Sequence, residues 1–228
     1  MTPNCPIKMF LSLPMITPRR TICFILSAIL ASSCFLAGPA SPQRNVRVKI
    51  LADTQLREID PRWQQGVGGL VEAASDYFER EFGIRFVTAK VEPWPAKRSA
   101  STASLLASLM NDFPLTDKDG SYDLMIGLTG ESVNAYRGRA RVDRIGDCRE
   151  GLGNYLVSYV SAPFRYQGPY AEPTLDVVAL LHELGHIFGA EHVHDAGSIM
   201  HENFDYRSEF DSKNREIILK NKFCPFAK

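Results

Sequence analysis

The pattern of apolar and polar positions switches repeatedly between two periods. Val46, Val48 and Ile50 alternate with Arg47 and Lys49, the period of a strand. Trp63, Val67, Leu70, Val71, Ala74, Tyr77 and Phe78 then recur at intervals near three and four. That spacing predicts a helix over 63–81, stopped at Gly83. Residues 84–91 read as a second strand, halted by Pro93 and Pro95, and 101–110 as a helix capped by Ser101 or Thr102. Strands follow over 122–128, 138–145 and 154–160, the middle one short and charged, as edge strands tend to be. A loop with Pro163, Gly168 and Pro169 leads to Pro173-Thr174, after which Leu175, Val178, Ala179, Leu181 and Leu184 recur near helical spacing. Asp211 or Ser212 caps a last helix running through Leu219. No internal repeat or second domain emerges. The order of elements predicts one α/β (α+β) domain over 41–228.

The chemistry is concentrated on the apolar helix after Thr174. All five histidines of the chain fall between His182 and His201. Three stand in His182-Glu183-Leu184-Gly185-His186-Ile187-Phe188-Gly189-Ala190-Glu191-His192. On a helix, His182 and His186 share one face and can aim their rings at one ion. Glu183 can reach a water on that ion without binding it. Gly189 permits the left-handed turn that ends a helix and brings His192 back as a third ligand. Three imidazoles leave a coordination position open, the arrangement of a catalytic zinc site with one Zn2+ per chain. A surface helix that happens to carry histidines explains the spacing less well. A helix this apolar is buried, and buried histidines and a glutamate need a reason.

Composition narrows the partners. With 26 basic and 26 acidic residues, nothing favours nucleic acid or an anionic membrane. The sequence singles out no calcium site and no oligomeric state.

Residues 1–40 read as a leader. Arg19-Arg20 precedes Thr21 to Gly38, which contains no charge, as a secretory signal does. Met15 is a candidate start, because Pro3, Pro6 and Pro14 make a poor signal opening. Ala31-Ser32-Ser33-Cys34 resembles a bacterial lipobox. Lipidation at Cys34, ordinary cleavage nearby and an uncleaved anchor all fit. Each implies export, either secreted or attached to the membrane. The exported part keeps only Cys148 and Cys224, an even pair in an oxidising compartment. A disulfide between the loop before the catalytic half and the C-terminal helix is the simplest reading, and two free buried thiols fit the same count.

The extended motif resembles that of the metzincin zinc endopeptidases, and Gly197-Ser198-Ile199-Met200 resembles their Met-turn. The resemblance implies a metzincin-like zincin domain, with a twisted mixed sheet, an antiparallel edge strand and an active-site helix. It also implies that Met200 packs beneath the metal without binding it. Astacins and serralysins carry a tyrosine ligand two residues after the turn methionine, where this chain has Glu202. Archaemetzincins carry cysteines after the third histidine, and here none follows before Cys224. The run from Gly138 through Cys148 to Val157 is most similar to the adamalysin (reprolysin-like) branch.

The expected activity is hydrolysis of internal peptide bonds in a protein or peptide substrate, with Glu183 as general base. Phe204 and Tyr206, after the Met-turn, are expected to wall the pocket for the residue following the scissile bond. Asp195 suits either an orienting contact to a zinc-binding histidine or a solvated turn. His194 and His201 suit the cleft or an exposed loop. Arg137, Arg139, Arg141, Arg144 and Arg149 read more readily as a solvated edge than as a substrate reader. The competing class is a zinc-containing module that binds a peptide or partner without cutting it. Retention of Glu183 speaks against it.

Overall fold

The computed structural model describes residues 42–96, 101–115, 121–130, 139–203 and 209–227. Among the described residues, five strands form one sheet: β1 (Arg44–Ala52), β2 (Ile84–Pro93), β3 (Leu124–Thr129), β4 (Ala140–Val142) and β5 (Tyr155–Tyr159). Their order is β2-β1-β3-β5-β4. β1, β2, β3 and β5 are parallel, and β4 closes one edge antiparallel to β5.

Strand periodicity divides the core between the two faces of the sheet. Val46, Val48 and Ile50 of β1, Leu124, Ile126 and Leu128 of β3, and Leu156 of β5 face one side. There they meet α2 (Trp63–Phe82) and α4 (Leu175–Ile187). Leu51, Met125, Tyr155 and Val157 face the other side and pack with Trp94 and with Leu105, Leu106 and Leu109 of α3 (Thr102–Asp112). Phe78 of α2 lies at the centre of the first layer, with ring centroids 5.1–6.2 Å from those of Phe82, Phe86, Phe188 and Phe210.

Sequence pattern and structure agree on the long elements. α2 ends at Gly83, Ser101 caps α3, and α5 (Ser212–Asn221) is capped by Asp211. The pattern missed α1 (Thr54–Ile59), which is too short to show a period. Its cap, Asp53, makes it. One carboxylate oxygen accepts from Leu56 N–H (2.7 Å) and from Gly130 N–H (3.1 Å), and the other from the Thr129 hydroxyl (2.5 Å). The helix is thus fastened to the end of β3, a contact 76 residues away along the chain.

Candidate active site

α4 supplies the floor of the site. Thr174 caps it, and every residue from Asp176 to Ile187 is buried, which is why its polar members stand out. At the other end, Ala190 N–H donates to Gly185 C=O and Gly189 N–H to His186 C=O, both at 2.9 Å. This is a Schellman ending, and Gly189 takes its left-handed position with φ 93°. A Cβ at Gly189 would also lie 2.4 Å from the carbonyl oxygen of Gly146. The chain therefore reverses within three residues and returns His192 to the helix.

Asn214 of α5 braces that return. Its Oδ1 accepts from Glu191 N–H (2.9 Å) and its Nδ2 donates to Glu191 C=O (3.0 Å). Asn214 is fully buried. Sequence reasoning passed over it, because a polar residue in a short helix carries no local sign of what it holds.

The three rings converge. The Nε2 atoms of His182, His186 and His192 lie 3.0–3.1 Å from one another. The Nδ1 of His182 is 2.7 Å from Ile199 C=O, and that of His186 is 2.7 Å from Ala190 C=O. A carbonyl only accepts, so each Nδ1 carries a hydrogen, and each neutral ring presents a bare Nε2 lone pair to the centre. His192 turns its Nδ1 toward Glu202 Oε1, 3.5 Å away. Lone pairs facing one another repel unless a cation lies between them. Nitrogens about 2.0–2.1 Å from a tetrahedral zinc would stand roughly 3.3 Å apart, close to the edges seen. Burial pushes His186 down to about 4, the Ala190 carbonyl opposing and His192 adding to the effect, so the ring stays neutral as a ligand must. The donor set fits zinc, and among the described residues it is the only such cluster of His, Cys, Asp or Glu.

Glu183 is 5% exposed and makes no hydrogen bond or ion pair with the described residues. Burial pushes its carboxyl up to about 8, with the Arg141 guanidinium opposing the shift. It is a largely buried carboxyl group beside the histidines whose hold on its proton is raised, the environment of a group that exchanges a proton.

Met200 is fully buried, with its sulfur against Gly185 of α4. Its turn is held by Ser198, whose hydroxyl donates to Asp211 Oδ2 (2.7 Å) and accepts from Met200 N–H (3.1 Å). The same turn aims the Ile199 carbonyl at His182.

Asp195 accepts from Gly197 N–H (2.9 Å) and serves the turn rather than a histidine. His194 and His201 share a recess with His192 and Glu202. Arg139 donates to Asp176 at the start of α4 (2.8 Å), and Arg144 pairs with Asp143 at 3.5 Å. Cys148 and Cys224 have Cα atoms 4.8 Å apart, within disulfide reach. Cys224 lies just beyond α5. Phe204, Tyr206 and Arg137 fall outside the described residues. A pocket lined by Ala73, Tyr77, Phe164 and Val177 and by the charged Arg80, Arg165 and Glu172 opens at the start of α4 and includes none of the histidines.

Comparison with known proteins agrees with this geometry. A family model described as "Metallo-peptidase family M12" (Reprolysin_5) matches residues 42–222. Among solved structures, metalloproteinase-II from Bacteroides fragilis superposes with a TM-score of 0.56 at 15% identity, covering 80% of this chain and 55% of that one. This chain thus spans about half the length of that protein. Archaemetzincin from Methanopyrus kandleri superposes with a TM-score of 0.52 at 21% identity, covering 78% of this chain and 96% of that one. At these identities the likeness is one of fold, and the fold is metzincin-like. A comparison with curated protein sequences finds no match. The expectation of a metzincin nearest the reprolysin-like branch holds, and the chain belongs to metallo-peptidase family M12.

Proposed function

We propose that this chain is an exported zinc endopeptidase in which His182, His186 and His192 hold the metal and Glu183 is the general base. The convergence of three bare Nε2 lone pairs beside the desolvated Glu183 carries the reading. Bound zinc would polarise the scissile carbonyl and bring a water's pKa toward neutrality. The carbonyls of Ile199 and Ala190 fix the tautomers and ring planes of His182 and His186, so no reorganisation is needed during turnover. Glu183 accepts the proton of the attacking water and hands it to the leaving amine nitrogen. The outer edge of β4 offers main-chain groups to an extended peptide, which suits cleavage within a chain. No protein nucleophile is required, and no acyl-enzyme forms.

Residues 1–40 are read as the export leader, with Cys34 as the candidate lipidation site. Cys148 and Cys224 form a disulfide in the oxidising compartment, and Phe204 with Tyr206 wall the subsite after the scissile bond. Metabolic lipid labelling abolished by Cys34→Ser supports the anchor. A mature protein that begins beyond Cys34 contradicts it while leaving export intact.

The activity is tested with peptides blocked at both ends. Internal cleavage before bulky apolar residues, stopped by chelators and hydroxamates, supports the reading. Trimming only of unblocked ends contradicts the open groove. A zinc-loaded protein that binds peptides and cuts none is a binding module.

A further inference from the structure

The arginines around β4 do not share one role. Arg139 is spent on Asp176, and Arg144 on Asp143. Arg141 is exposed and makes no hydrogen bond or ion pair with the described residues. It sits in the middle of β4, the edge strand, whose outer side pairs with no strand among the described residues.

Register fixes where its side chain goes. Arg141 stands opposite Val157, and Val142 opposite Leu156. Leu156 belongs to the core layer that contains α4, and Val157 to the layer that contains α3. Opposed residues of neighbouring strands share a face. Val142 therefore turns toward the active-site helix, while Arg141 emerges on the other face, at the rim. The rim is close to the chemistry: Gly146 N–H, four residues beyond β4, donates to the carbonyl of His186 (2.9 Å).

We propose that Arg141 is a specificity-determining residue that selects substrates bearing an acidic side chain at a fixed distance from the scissile bond. A peptide strand added to the β4 edge projects alternate side chains to the two faces. Those on the α4 face point toward the site floor. Those on the opposite face come within reach of Arg141, directly across or one diagonal away. The favoured peptide is therefore acidic at one or two positions spaced by two residues. This inference rests on the endopeptidase reading above.

The test uses the zinc-loaded protein and a set of end-blocked peptides in which Glu or Gln is scanned through each position around one cleaved bond. The wild type is expected to prefer Glu over Gln by roughly three- to fivefold in kcat/KM at alternate positions, the upper range for an exposed ion pair. Raising the salt should shrink that ratio, because exposed charges are screened. Arg141→Gln should bring the ratio close to one, and Arg141→Glu should transfer the preference to Lys. A Glu-to-Gln ratio that is unchanged in Arg141→Gln, or a wild type with no acidic preference, overturns the proposal. If no peptide is cut, the endopeptidase reading fails separately. Fluorescence anisotropy of labelled Glu and Gln peptides then reads the same ratio from binding.

Discussion

The sulfur of Met200 packs against the backbone of Gly185, the residue just before His186. A Cβ at Gly185 would lie 2.8 Å from that sulfur and 2.9 Å from the ring of Phe210. Gly185 is thus needed for the close approach of the turn to the helix. Met200 also sits one residue after Ile199, whose carbonyl orients His182. Gly185→Ala should push the turn away from the helix. Overpacking of this kind costs about 1–3 kcal/mol. Denaturant unfolding should show that loss, and competition with a chromogenic chelator should show weaker zinc binding. Unaltered values for both would contradict the packing account.

Asn214 predicts a second effect at a distance. It touches no ring, yet it clamps both backbone groups of Glu191, the residue before His192. Asn214→Ala removes both of these hydrogen bonds and should cost about 1–3 kcal/mol. It should also weaken zinc binding more than an exposed α5 substitution such as Lys220→Ala does. Equal zinc affinity in the two variants would show that His192 needs no brace.

The metal-free protein should have a stability maximum in weakly acidic solution. Glu183 has a folded pKa raised from 4.5 to about 8, so folding disfavours its ionised form. Stability is then lost as pH rises from about 4.5 through 8. His186 has a folded pKa lowered from 6.5 to about 4, so folding disfavours its charged form, and stability is lost as pH falls from 6.5 through 4. Glu183→Gln should remove the first loss. Its metal-free form should exceed the wild type near pH 9 by a few kcal/mol and match it below pH 4.5. Parallel urea titrations across pH check this, and a constant difference between the two proteins would contradict it.

The cysteine pair gives a fourth prediction. A bond between residues separated by 76 positions destabilises the unfolded chain by about 4.5 kcal/mol in the loop-entropy account. Unfolded, unreduced protein should resist thiol reagents, and Cys148→Ser should lower the unfolding midpoint. Immediate labelling of both cysteines would mean free thiols.

What could be read from the sequence was what is local. The strand and helix periods, the caps at Ser101 and Asp211, and the histidine spacing all lie within a few residues, and each recurs in the fold. α1 was missed because six residues are too few to show a period, and its fastening to Thr129 and Gly130 lies far along the chain. Asn214 and the link from Ser198 to Asp211 were missed for the same reason. The arginine run looked uniform in sequence. Only the register of β4 and the pairings with Asp176 and Asp143 separate Arg141 from its neighbours. Asp195, left open by sequence, was settled by one turn hydrogen bond.

The central claim is that three histidines hold the metal while Glu183 moves the proton. The most direct test measures zinc content and internal peptide cleavage together in the wild type, Glu183→Gln and His186→Ala. The account predicts one zinc per chain in the first two, loss of nearly all turnover in Glu183→Gln, and loss of both metal and turnover in His186→Ala. Zinc-loaded Glu183→Gln protein that cuts as fast as the wild type would contradict it.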